Sequence, residues 1–191
     1  MSIKRLSGAG LTTPKSNKLW DQVTFQSGMS ALATITLTST ASSVVFSGIP
    51  SNYTHLQLRT LVQQASTGGY VEVLFNNATF VRRHWVFGSG GGGSAAAGAD
   101  ATNAPGVFSS AFSSGNSAFA SSVVDILNYT STSKNKVTRS LGGVDNNGSG
   151  SIYLMSSLYT SSTAITSITL NAIAENFTSK STFALYGIKE G

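Results

Sequence analysis

Leu56-Gln57-Leu58-Arg59-Thr60-Leu61-Val62 alternates at the two-residue period of an extended chain. Leu56, Leu58 and Val62 fall on one face, and His55, Gln57 and Arg59 on the other. A helix would need apolar residues three and four apart, and no stretch of the chain carries a persuasive stripe of that kind. The same period returns at Val71, Val73 and Phe75 and again in residues 183–188. On the N-terminal side, Ala31, Ala33, Ile35 and Leu37 alternate with Thr34 and Thr36, and residues 44–46 form a short strand stopped by Gly48-Ile49-Pro50. On the other side, Asn76-Asn77 signals a turn into a returning strand over 80–87. Strands are also expected over 119–129, 136–144, 152–159, 165–173 and 182–188, with Asp145-Asn146-Asn147-Gly148 as a tight turn between two of them. Eight to ten short strands separated by Gly, Ser, Asn and Thr predict an all-β fold. The expected form is an antiparallel two-sheet sandwich, with a jelly roll as the favoured topology.

At 191 residues one folded domain is the natural count, placed at 30–191 behind an extended arm over 1–29. Within the domain, residues 88–106 run Gly-Ser-Gly-Gly-Gly-Gly-Ser-Ala-Ala-Ala-Gly and onward without a large side chain, which predicts a long mobile loop. There is no cysteine, which excludes thiolate metal sites and cysteine nucleophiles. The opening Met-Ser-Ile-Lys-Arg has no apolar run after it, so a secretory signal is not expected. No window approaches the length of a membrane-spanning helix, so no membrane association is expected either.

Only 10% of residues are charged, against about 25% in typical soluble domains. Such a surface repels copies of itself weakly and suits close subunit packing, and alternation leaves apolar residues such as Leu61, Leu74 and Tyr153 on faces expected to lie opposite the core. The net charge of +5 is unevenly placed. Lys4, Arg5, Lys15 and Lys18 all precede the first acid, Asp21, whereas beyond it eight bases face seven acids. Extended, the first 20 residues would reach up to roughly 65 Å. With Leu11, Leu19 and Trp20 as apolar anchors, they form a candidate docking arm. A protein partner is preferred, a solvated terminus next and nucleic acid last, because no aromatic residue precedes Trp20 to stack on bases.

Candidate chemistry is sparse. A nucleophile–base pair would need His55 or His84 beside a serine and an orienting carboxylate. A glycosidase would need two neighbouring carboxylates, yet Asp21, Glu72, Asp100, Asp125, Asp145, Glu175 and Glu190 fall in separate segments. Asp145–Gly150 has the opening of a calcium loop, but Ser156 stands where the bidentate glutamate belongs, so a hairpin is preferred. Gly88 and Gly90–Gly93 precede no Lys-Ser/Thr and no expected helix, so they do not read as a phosphate cradle. No catalytic residue, cofactor or metal is therefore expected. Arg82-Arg83-His84-Trp85 is the densest polar-aromatic cluster and a candidate interface, since Arg and Trp are enriched at binding hot spots.

Three segments resemble a known family. Val44-Val45-Phe46-Ser47-Gly48-Ile49-Pro50-Ser51-Asn52-Tyr53-Thr54-His55-Leu56 resembles the opening of small phage virion proteins, many of them from marine and cyanobacterial phages. Val124-Asp125-Ile126-Leu127-Asn128-Tyr129 with Lys134-Asn135-Lys136 is similar to their I-x-x-Y…K-x-K middle. Ala164-Ile165-Thr166-Ser167-Ile168-Thr169-Leu170 and Ser181-Thr182-Phe183-Ala184-Leu185-Tyr186-Gly187-Ile188-Lys189 are similar to their closing strands. The resemblance covers about 31–191. It implies a structural protein of the virion, partnered by the major capsid protein or other virion subunits, and it carries over no catalytic residues. The leading expectation is a head decoration or cement subunit anchored by its arm and associated as a homo-oligomer, with a trimer favoured by analogy with phage appendages. A tail or fibre component with an adhesive role comes second, and a polysaccharide-active jelly-roll enzyme third.

The arm yields a direct test. Removing residues 1–20 is expected to leave a folded sandwich that no longer joins the particle, and Lys/Arg-to-Ala changes at Lys4, Arg5, Lys15 and Lys18 should weaken attachment most at low salt. Full loading of the truncated chain onto particles lacking the intact subunit would place attachment on the sandwich instead.

Overall fold

Strands make up every regular element among the described residues of the computed structural model, which are 17–18, 24–25, 28–64, 69–78, 81–104, 107–109, 118–145 and 148–189. In chain order they are β1 (Asn17–Lys18), β2 (Thr24–Phe25), β3 (Met29–Thr36), β4 (Ser43–Phe46), β5 (His55–Val62), β6 (Tyr70–Phe75) and β7 (Val81–Ser89). Then follow β8 (Ala95–Ala104), β9 (Val107–Ser109), β10 (Ala120–Ile126), β11 (Lys136–Asp145), β12 (Gly150–Tyr159), β13 (Ile168–Ile173) and β14 (Thr182–Ile188). Besides the small β1–β2 pair, they form an eight-stranded sheet ordered β3-β14-β5-β10-β11-β12-β7-β8 and a four-stranded sheet ordered β4-β13-β6-β9. Every pairing is antiparallel.

The core lies between the two sheets. Leu56, Leu58 and Val62 of β5, Val124 and Ile126 of β10, and Phe183 and Leu185 of β14 meet the inward residues of the smaller sheet. Those are Val44, Phe46, Val71, Val73, Phe75, Ile168 and Leu170. Full burial of each large side chain contributes roughly 1.5–3 kcal/mol. The ring pairs Phe177–Phe183 and Phe75–Tyr159 meet edge to face with centroids 5.0 and 5.5 Å apart.

Two expectations are corrected. Asn76 and Asn77 do turn the chain, with φ of 50° and 56° and an Ala78 N–H donating to the Phe75 carbonyl at 2.9 Å. The next strand, however, does not return along β6. Both sides of β6 are taken by β13 and β9, so β7 crosses into the larger sheet beside β12. The second correction concerns residues 88–106, expected as a mobile loop. Ala95–Ala104 is instead the edge strand of the larger sheet, joined to β7 by a short turn. A strand at an edge can be held by its ladder hydrogen bonds with little side-chain packing, so its Gly–Ala composition left no apolar signal. Its small residues also fit their neighbours, since a Cβ on Gly98 would lie 2.4 Å from Cζ2 of Trp85.

Loops at one end of the sandwich are held by a clasp. Lys136 is fully buried, and its Nζ donates to the carbonyls of Ser131 (2.6 Å), Thr163 (2.6 Å) and Ser161 (3.2 Å). The three ammonium donors thus meet three acceptors, and desolvation lowers the amine's pKa from its ordinary 10.5. The Tyr129 hydroxyl donates to the Pro50 carbonyl, and the Tyr129 carbonyl accepts from Ile165 N–H at 2.8 Å. The Tyr53 ring rests on Gly187, where a Cβ would come within 2.5 Å of it, and Lys189 Nζ lies 5.7 Å from the ring centroid.

Lys136→Met leaves three carbonyls without their donor and is expected to cost about 2–4 kcal/mol at pH 7, read from urea midpoints. Between the lowered folded pKa and 10.5 the unfolded chain binds more protons at this site than the folded one. The lysine's contribution to stability therefore rises with pH across that window. The gap between wild type and variant should widen as pH approaches 10.5, and a gap that narrows would show that the carbonyls' hold on the ammonium outweighs desolvation.

Candidate interaction face

The larger sheet turns one face away from the core, and strand register fixes what that face presents. Arg59, Val123, Leu141, Leu154, Val86 and Ala97 are successive Cα partners and form one row across β5, β10, β11, β12, β7 and β8. Beside it runs the row Leu61, Ser121, Gly143, Ile152, Gly88 and Ala95. A third row reads Gln57, Asp125, Arg139, Ser156, His84 and Ala99.

From β10 to β7 the first two rows carry no charged side chain, and their large apolar side chains are open to solvent. Of the eight large hydrophobic side chains exposed among the described residues, seven lie on this face, from Val123 at 38% to Ile152 at 58%. Gly142 and Gly143 floor a groove of about 670 Å³ walled by Leu61, Val123, Leu141 and Ile152. A Cβ at Gly143 would lie 2.6 Å from the Ser151 carbonyl oxygen, so backbone approach itself demands glycine there.

The third row is polar and cross-linked. Asp125 accepts from Gln57 Nε2 at 2.9 Å and from Arg139 Nη2 at 3.3 Å. Arg59 Nε donates to Gln57 Oε1 at 2.8 Å, and its guanidinium lies 5.1 Å from the centroid of the Tyr186 ring. Because the Arg139 side chain is 69% exposed, the ion pair stabilises the fold by no more than about 1 kcal/mol. Its geometry nevertheless fixes the row's side chains in place.

The residues singled out in the sequence are partly gathered here. Arg82 and His84 are exposed on this face, with His84 beside Ser156 and Ala99. Arg83 and Trp85 are half-buried on the opposite face, Arg83 beside Asp100 and Trp85 over Gly98. The cluster is thus split between two surfaces by the two-residue period of its strand. His55 is held through Nδ1, which accepts the Asn128 N–H at 2.9 Å. Glu72 accepts from Asn171 Nδ2 at 2.7 Å on the smaller sheet, away from Asp125. Lys4, Arg5, Leu11, Lys15, Leu19, Trp20, Asp21 and Glu190 lie outside the described residues, and Lys18 belongs to β1, opposite Thr24. No group of three or more His, Asp or Glu among the described residues could hold a metal ion.

Leu61 was legible as an outward apolar residue, whereas Tyr153 requires correction. It shares the inward face with Met155 and Tyr159 and stacks on Phe87 at 4.7 Å between centroids. Its burial raises the phenol's pKa. The apolar rows on β11 and β12 had a signal in Val137, Leu141, Ile152 and Leu154, but β12 is apolar at both phases and alternation alone could not orient it. No family model, curated protein or solved structure matches the chain.

If these rows serve contact and not folding, Ile152→Thr and Leu154→Thr should each change unfolding free energy by less than about 1 kcal/mol in urea titrations. A loss of several kcal/mol would show that the side chains hold the sheet itself.

Proposed function

We propose that this chain is a non-catalytic structural subunit of a phage particle, a decoration or cement protein of the head whose sandwich is tethered by its basic arm. The observation that carries this reading is the exposed apolar face. An apolar surface spanning several strands marks an interaction site on a soluble domain, because leaving it in water is costly and invites association. The chain's 10% charge content is consistent with life among tightly packed neighbours. The resemblance to small phage virion proteins supplies the kind of assembly, and the major capsid protein is the natural partner.

The fold is read here as an elaborated jelly roll. The orders β3-β14-β5-β10 and β4-β13-β6-β9 interleave early and late strands in two four-stranded sheets. On that reading the hairpins β7–β8 and β11–β12 are additions that widen one sheet.

Copy number tests the function. Quantified against the major capsid protein in purified particles, the subunit should be present in many copies per particle. A few copies would assign it to the tail or fibre, and its absence from particles would remove the virion reading altogether.

A further inference from the structure

The outer face of the larger sheet carries its own complement. We infer that two copies of this chain pair through that face, about a two-fold axis that runs along the strands between β11 and β12. This rests on the reading of the chain as an assembly subunit and names one of its partners, a second copy of itself.

A two-fold axis in that position exchanges β11 with β12, β10 with β7, and β5 with β8, so each residue on the face has a determined opposite. In the central row Leu141 meets the partner's Leu154, and Val123 meets the partner's Val86. In the neighbouring row Ile152 projects over the partner's Gly143, and Ser121 lies against the partner's Gly88. In the polar row Asp125 faces the partner's His84, and Arg139 faces the partner's Ser156. Large side chains thus meet small ones or other apolar ones, and the carboxylate meets an imidazole.

The edge strand β8 fits the same scheme. Its outward residues Ala95, Ala97 and Ala99 are all exposed, and they fall opposite Leu61, Arg59 and Gln57 of the partner's β5. The longest side chains of one edge therefore meet the shortest of the other. An isologous contact requires this reciprocity, residue i on j and j on i.

Size and charge agree. Six strands about 4.8 Å apart and three rows about 6.8 Å apart make a face roughly 29 Å by 20 Å once side-chain width is included. The corrugated surface over that footprint approaches the roughly 800 Å² per partner of a standard interface. The central two rows hold no charged residue from β10 to β7, as expected of an interface core. Sheets related in this way would stack in the aligned geometry, with strands within about 30° of each other.

Sedimentation velocity on the purified full chain, from about 1 to 200 µM, tests the pairing. The expected result is a concentration-dependent dimer. Leu154→Asp in the apolar row and Ser121→Arg in the neighbouring row should each raise the dissociation constant at least tenfold, while Val45→Asp, an exposed residue of the smaller sheet, should leave it unchanged. The chain has no cysteine, so Val123→Cys and Val86→Cys variants can be mixed under mild oxidation. A disulfide-linked dimer should form in the mixture and not with either variant alone. A monomer throughout the concentration range, a closed trimer, or equal cross-linking of the single variants would each overturn the inference. Loss of the dimer alone would leave the virion reading standing, since that is decided by copy number in particles.

Discussion

Four strands cannot cover eight, and most of what distinguishes this molecule follows from that inequality. A sheet needs one face buried to be stable, and here the smaller sheet's apolar side chains meet those of β14, β5 and β10. Towards β12 the inward side chains change character. Ser122, Thr138, Ser140 and Ser157 are buried where a symmetrical sandwich would carry valine or leucine, and Thr60 and Ser122 share a hydrogen bond of 2.6 Å. Beyond them, Trp85, Phe87 and Tyr153 supply aromatic bulk to the inward face of the widened sheet. The added strands gain a broad second surface turned away from the core, and that is where the exposed apolar residues collect.

The segments singled out in the sequence at 44–56, 124–136, 164–170 and 181–189 are concentrated at the clasped end and on the strands around the core. Tyr53, Tyr129, Lys136, Gly187 and Lys189 each hold a loop or a ring in place there. The hairpins β7–β8 and β11–β12 lie almost wholly outside those segments. Those segments thus maintain the sandwich, while the face proposed for contact is built mostly from strands outside them. This separation is physically reasonable. A fully buried lysine in a cage of carbonyls tolerates few replacements, whereas an exposed valine on a strand tolerates many.

Much of the fold was legible in the sequence because burial on one face enforces alternation. Leu56, Leu58 and Val62 declared β5 and its orientation, and 182–188 matched β14. What escaped was set by partners and not by local pattern. Residues 95–104 have no apolar period, since their place at the edge depends on backbone pairing and on room for Trp85. The strand after Asn76-Asn77 was visible, but its neighbour was not, because either sheet accepts an alternating strand. Tyr153 was assigned to the wrong side because β12 is apolar in both phases. On the contact face, single outward residues such as Leu61 could be read from alternation. The rows they form required register between strands distant in sequence, which a single chain does not disclose.

The position of β14 has a consequence for how the protein is made. This strand, far from β3 in sequence order, sits between β3 and β5, and it is the only neighbour β3 has among the described residues. As the chain emerges from the ribosome, β3 must wait for its partner until β14 has followed it. Local hairpins such as β11–β12 can form early, but loop-closure entropy opposes the long-range pairing until the end. The sheet is therefore closed only once β14 is free to pair. Until then the alternating strand that begins at Met29 is an open edge, which places the hazard of misassembly in the interval between the synthesis of β3 and the arrival of β14.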